Sequence, residues 1–128
     1  MPTPSFIFEC IRNDIIADGI YELEFTKPEG LAFKEGQFLL LDAPLVDNPE
    51  DVQPRAYSIA SSPNDDTLLL VIKLVPDGRC SNWVEKVVKK GTSTRVQCPF
   101  GKFLLNAESD KEYIMMCTST GIAPFRSQ

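Results

Sequence analysis

Histidine is absent from this chain of 128 residues, and its four cysteines, Cys10, Cys80, Cys98 and Cys117, lie far apart with no Cys-x-x-Cys pair. Zinc and iron-sulfur centres are thereby left without a ligand set, so no metal site is expected. Scattered, unpaired thiols fit a reduced, cytoplasmic protein. Long hydrophobic runs are missing too: the longest, such as residues 68–72, are strand-sized, and no membrane span is expected. Met1-Pro-Thr-Pro-Ser5 has no basic segment leading into an apolar one, which excludes a signal peptide pattern. Basic residues are in the minority, 13 against 18 acidic, for a formal charge of −5. Nucleic-acid binding needs clustered Lys and Arg to neutralise phosphates, so it is not expected here. Neither a Walker loop nor a Gly-x-Gly-x-x-Gly fingerprint is present.

What remains is ordinary globular material, 43% hydrophobic and 24% charged, enough for one domain with a real core and part of a second. Residues 6–12 and 20–27 read as strands, the second alternating Tyr21, Leu23 and Phe25 with Glu22, Glu24 and Thr26. Residues 13–19 read as the turn between them, and the pair as antiparallel. A third strand is expected at 38–41, its continuous apolar run suggesting burial on both faces. Residues 43–54, rich in Asp, Asn and Pro, read as a loop. Residues 67–75 are the most strand-like segment, and strands resume at 93–98 with a short extended piece at 103–105. Short strands without long helical patterns between them predict a compact antiparallel barrel or sandwich.

One helix is predicted after the turn Pro76-Asp77-Gly78. Asn82 and Glu85 have capping-box spacing, with Ser81 an equal candidate for the cap, and Trp83, Val84, Val87 and Val88 form an apolar stripe. The start of such a helix gathers unpaired backbone N–H groups and suits an anion, or it is simply the end of a lid helix. Residues 106–112 read as a polar linker. Beyond it, the apolar strand expected at 113–117 feeds Thr118-Ser-Thr-Gly-Ile-Ala-Pro124, the way a parallel α/β nucleotide domain begins.

Residues 54–62, Pro-Arg-Ala-Tyr-Ser-Ile-Ala-Ser-Ser, concentrate the chemistry. In an extended strand Arg55 and Tyr57 project to one side and Ser58 to the other. A guanidinium fork beside an aromatic plate suits a ligand with a phosphate and a flat ring, but the nine residues alone favour a plain strand with a solvated charge.

In order and spacing, Arg55-Ala-Tyr-Ser58, Gly78-Arg-Cys-Ser81 and Thr120-Gly-Ile-Ala-Pro-Phe-Arg-Ser127 resemble the ferredoxin-NADP reductase superfamily. The likeness includes Glu35-Gly-Gln-Phe38 and Lys90-Gly-Thr92 and so spans most of the chain. The Arg-Ala-Tyr-Ser block is closest to bacterial ferredoxin or flavodoxin NADP reductases. The resemblance implies a mainly β fold: a six-stranded antiparallel Greek-key flavin barrel with one lid helix at 1–107, and at 108–128 the first strand and loop of a truncated NAD(P)-binding α/β domain. It implies FAD, with FMN as the alternative, and NAD(P)H as substrate of the intact enzyme. Arg55 would pair with the flavin phosphate, Tyr57 would stack on the isoalloxazine and Ser58 would lie near N5, both positioning the ring without acid or base work, and Ala56 would belong to the same cofactor-binding stretch. Val71, Ile72, Lys73 and Leu74 would line the cofactor through backbone groups. The N–H groups of Arg79, Cys80 and Ser81, with the Ser81 hydroxyl, would hold the pyrophosphate next to the cofactor-binding Gly78, Thr120 would approach the flavin, and Thr120, Gly121 and Pro124 would face the nicotinamide nucleotide.

The function so implied is hydride transfer between NAD(P)H and FAD, with electrons passed to ferredoxin, flavodoxin or a similar acceptor. A reductase component of an oxygenase is the enzymatic alternative, and a ligand-binding β-barrel the non-enzymatic one. Thr118-Ser-Thr120 stands where the superfamily commonly has Gly-Thr-Gly, placing Ser119 where the backbone favours glycine. With so little of the second domain in the sequence, the isolated chain is expected to hold flavin weakly, to turn over NAD(P)H poorly and to expose apolar surface. Oligomeric state is left open.

Overall fold

The computed structural model describes residues 3–105 and 110–128. The expected domain boundary at 107/108 and part of the expected linker at 106–112 lie outside the described residues. Six antiparallel strands form the body: β1 (Ser5–Ala17), β2 (Ile20–Thr26), β3 (Phe38–Pro44), β4 (Val52–Ser58), β5 (Thr67–Lys73) and β6 (Ser93–Phe100). Helix α1 (Arg79–Lys86) lies between β5 and β6, and a 3-10 turn (Ser119–Gly121) leads into α2 (Ile122–Ser127).

The strands pair in the order β4-β3-β6-β1-β2-β5. Beyond β4, the Ala60 N–H donates to the Leu69 carbonyl (2.9 Å) and the Leu69 N–H donates to Ser61 Oγ (3.0 Å), joining the two edges of the sheet. With that closure β6-β3-β4-β5 follow the Greek-key order, as the resemblance to the ferredoxin-NADP reductase superfamily implies. Alternation fills the interior: Leu23 and Phe25, Leu39 and Leu41, and Leu68, Leu70 and Ile72 are buried while their strand neighbours are not. Phe8 and Phe25 meet at 5.7 Å between ring centroids, tilted by 46°.

Several expected boundaries shift, each for a local reason. Residues 13–17 belong to β1 rather than to a turn, because Asp18-Gly19, with Gly19 at φ +69°, closes a tight hairpin and Arg12 pairs with Glu22 and Glu24 across it and with Asp14 along its own strand. A register irregularity between Cys10 and Arg12 lets β1 leave β6 and join β2. Strand β3 runs to Pro44 and alternates in burial instead of being buried on both faces, because only one face meets the core. Strand β4 begins at Val52, inside the expected loop; it is an edge strand, where Pro54 costs no ladder bond.

Residues 103–105 and 113–117 are not strands. A strand exists only through pairing, and no described strand edge runs beside residues 113–117, where Ile114 is 91% and Met116 82% exposed. Exposure of this apolar segment agrees with the expectation of uncovered surface.

Candidate functional site

Strand β4 carries Arg55, Ala56, Tyr57 and Ser58 on the edge of the sheet, opposite Leu41, Leu40, Leu39 and Phe38. The exposed Arg55 guanidinium donates from Nη1 to the Pro54 carbonyl (2.9 Å), with Gln53 Oε1 at 3.4 Å. Among the described residues it makes no ion pair, so its charge is available to a ligand. Tyr57 is half-buried and packs against the core. Burial, and then its hydrogen-bonded neighbour Cys80, hold the phenol well above its ordinary pKa. Burial likewise raises the Cys80 thiol, against opposing contributions from Tyr57 and Arg55. Both groups are therefore neutral at physiological pH, leaving Arg55 as the charge on this wall.

The facing wall is the start of α1. The N-cap is Gly78, in extended geometry and with no side-chain cap, which corrects the expected cap at Asn82 or Ser81. Ser81 sits within the first turn, and its Oγ accepts from the Val75 N–H (2.7 Å), tying the helix back to the preceding loop. A Cβ at Gly78 would come within 3.0 Å of the Val75 carbonyl and 3.2 Å of Ser81 Oγ, so the tight approach favours glycine. The amides of Arg79, Cys80 and Ser81 are first-turn donors without an intrahelical acceptor, at the positive end of the helix dipole. The stripe behind them is as expected at Trp83, Val84 and Val88, all buried, whereas Val87 is exposed.

Arg79 contributes its backbone to this wall and turns its side chain away. The guanidinium donates to the Asp51 carbonyl (2.6 Å), to Asp51 Oδ1 (3.1 Å) and to the Ala43 carbonyl (3.4 Å), with the side chain only 11% exposed. It braces the loop between β3 and β4 against the helix.

Between the walls lies a cleft of about 520 Å³ lined by Arg55, Tyr57, Gly78, Arg79, Cys80 and Ser81, together with Leu45, Val75, Asp77 and Asn82. The structure thus brings together six residues from two of the three sequence blocks. Leu45, Val75 and Asp77 were not legible as site residues, since each lies in a loop whose fold depends on distant contacts; Asp77 adopts φ +59°, which aspartate tolerates. Strand β5 borders the same edge. Its Leu69 N–H and carbonyl point toward β4, so the alternation along a strand turns the backbone groups of Val71 and Lys73 the same way, while the Ile72 side chain goes to the core. Leu74 instead donates its N–H to Gly19. Ala56 and Ser58 flank Tyr57 on β4 but do not line the cleft.

Thr120, Gly121 and Pro124 are outside the cleft as well. The 3-10 turn holding Thr120 and Gly121 packs against β5, and Pro124 lies half-buried in α2. Ser119 has φ +50°, a left-handed conformation that gives this position its preference for glycine.

The donor set fits FAD. Three uncapped helix-start amides and an unpaired guanidinium suit a diphosphate, and Tyr57 offers a neutral ring in the lining of the same cleft. No described group of three or more Cys, Asp or Glu side chains is arranged to hold a metal. No described helix is long and apolar enough to cross a membrane.

Comparison with known proteins gives the same picture. The family described as the oxidoreductase FAD-binding domain matches residues 12–104. The chain is 31% identical over 147 aligned residues to the chloroplastic leaf isozyme 1 of ferredoxin-NADP reductase from Oryza sativa subsp. indica, covering 98% of this chain and 40% of that protein. It is 34% identical over 95 residues to the toluate 1,2-dioxygenase electron transfer component of Pseudomonas putida, covering 74% and 26%. Among solved structures, the ferredoxin NADP+ reductase of Neisseria gonorrhoeae with bound FAD and NADP superposes with a TM-score of 0.83 at 28% identity, over 96% of this chain and 49% of that one. The chain thus spans between a quarter and a half of these relatives.

Proposed function

We propose, from the premise that the chain belongs to the oxidoreductase FAD-binding domain family within the ferredoxin-NADP reductase superfamily, that it serves as the flavin-holding part of an enzyme moving hydride between NAD(P)H and FAD. The observation that carries this reading is the cleft in which unpaired Arg55 faces the uncapped amides of Arg79, Cys80 and Ser81, with Tyr57 on the same wall. FAD supplies the redox chemistry when bound. Arg55 and the helix-start amides hold its diphosphate, Tyr57 stacks on its ring, and Ser58, next along β4, hydrogen-bonds near the reactive edge. Ala56 and the backbone of residues 71–74 flank the cofactor along the sheet edge. No side chain of this chain is needed as an acid or base.

Residues 1–107 form the flavin barrel and residues 108–128 open the nucleotide-binding part, in which Thr120, Gly121 and Pro124 meet the nicotinamide nucleotide. The relatives include both a ferredoxin-NADP reductase and a dioxygenase electron-transfer component. Accordingly the acceptor is ferredoxin, flavodoxin or the corresponding partner of an oxygenase. Cys10, Cys80, Cys98 and Cys117, all free thiols, suit a reducing compartment, the cytoplasm.

The test is a titration of the purified chain with FAD, followed by visible absorbance and protein fluorescence. Binding is expected, and Arg55→Ala should weaken it by about 10- to 100-fold, the worth of one charge-assisted hydrogen bond. A wild-type chain that binds no FAD, or an Arg55→Ala variant that binds it equally well, overturns the reading.

A further inference from the structure

Consecutive residues of α2 reach consecutive carbonyls at the end of the β4 segment. Arg126 Nη1 donates to the Ala60 carbonyl (2.9 Å), and Ser127 Oγ donates to the Ser61 carbonyl (2.6 Å). Ser127 and Ser61 are 3% and 1% exposed, so that bond is shielded from water. Ser61 is also the residue whose Oγ accepts the Leu69 N–H, and Ala60 the residue whose N–H reaches the Leu69 carbonyl. One junction therefore joins three segments: the end of the Arg55–Ser58 strand, the edge of β5, and the short helix following the Thr120 turn. A buried hydroxyl bonded to a buried carbonyl is a stiff, directional contact, and pairing it with a second fixes rotation as well as distance.

We propose that Arg126 and Ser127 are positioning residues, a latch that holds the Thr120–Gly121 turn against β5, at a fixed distance from the end of the flavin strand. The latch rests on the flavin reading for its purpose, since the turn must be held still only if nicotinamide and flavin meet beneath it. Its existence rests on the two bonds alone. Ser119 at φ +50° gives the turn a backbone that would relax if released, and the 3-10 geometry has just Gly121 N–H to the Thr118 carbonyl (3.0 Å) and the Ile122 N–H bonds to keep it. Held from α2, the turn stays against β5; released, it swings with the exposed segment before it.

The experiment measures amide hydrogen exchange residue by residue on the whole chain, with and without saturating FAD, in wild type, Ser127→Ala, Arg126→Met and Ser127→Thr. Exchange at Gly121 and Ile122 is expected to rise about tenfold in Ser127→Ala and in Arg126→Met, the factor for one lost hydrogen bond. Ser127→Thr, which keeps the hydroxyl, should return it to the wild-type rate. Leu69 exchange and FAD affinity should stay within about twofold, because the latch acts on the turn and not on barrel closure. Unchanged exchange at Gly121 and Ile122, failure of the threonine to rescue, or an equal rise at Leu69 overturns the latch. A wild-type chain without FAD affinity overturns the flavin reading instead, and the exchange data without FAD still decide the latch.

Discussion

At the Asp51 carbonyl and carboxylate the Arg79 guanidinium is fully engaged, whereas Arg55, on the opposite wall of the same cleft, has only a neighbouring carbonyl and an amide oxygen. A charge already spent on the protein stabilises it, and a charge left unspent serves a ligand. Arg79→Met should therefore cost about 1–3 kcal/mol in urea unfolding, because the Asp51 and Ala43 carbonyls lose their donor. Arg55→Ala should leave stability within about 0.5 kcal/mol while removing affinity for FAD. Equal losses in the two variants would show that the division of labour is wrong. Ser119 sits in the left-handed region at φ +50°, and Ser119→Gly is expected to raise stability by about 1 kcal/mol, read as a higher urea midpoint; a lower midpoint would mean that the serine side chain is held by contacts worth more than the strain. Strand alternation, a local property, marked Arg55, and the departure from Gly-Thr-Gly marked Ser119. The sequence could not mark the side chain of Arg79, whose partner Asp51 lies in a loop that only the folded sheet brings near.

Strands and helix were legible where one face meets the core. Leu23 and Phe25, or Leu68, Leu70 and Ile72, recur with a period of two because every second side chain is buried. Residues 13–17 were misread because Asp14 to Ala17 face solvent on a genuine strand, and the hairpin depends on the two-residue Asp18-Gly19 turn rather than on composition. The helix start was displaced by three or four residues for a related reason: Gly78 caps by backbone geometry alone, leaving no side-chain signature. Asn13 then binds the other end of that helix, its Nδ2 donating to the Val84 and Val88 carbonyls at 3.0 Å each. What seats α1 on the barrel is Trp83, 3% exposed, beside Val84. Trp83→Ala should cost about 3–5 kcal/mol and lower FAD affinity with it, since the anion-binding amides ride on the same helix. Loss of stability with flavin affinity intact would separate the helix from the site.

The six strands form one sheet whose edges are joined through Ala60, Ser61 and Leu69, and its interior holds three of the four thiols, Cys10, Cys80 and Cys98. Burial raises the pKa of each, that of Cys98 to about 11 from an ordinary 9.0, because a thiolate in the core has lost its water. A raised folded-state pKa means that the unfolded chain releases its proton first. The resulting stability is complete below about pH 9 and drains away as pH rises through 9 toward 11. On the acid side the sign reverses at Glu24, whose carboxyl is held below its ordinary range by the Thr67 hydroxyl and then by Arg12. Its contribution is present at neutral pH and lost as pH falls through its lowered pKa. The alkaline arm is the larger, because Cys98 is wholly buried and Glu24 is partly solvated. Urea unfolding under reducing conditions at pH 8 and 10.5, in wild type and Cys98→Ala, isolates it. Wild type should lose on the order of 1–2 kcal/mol more than the alanine variant between the two pH values, although the variant starts lower because of the cavity it opens. If the two curves fall in parallel, the Cys98 thiol does not ionise differently in the folded and unfolded chains, and the barrel interior is wetter than its packing indicates.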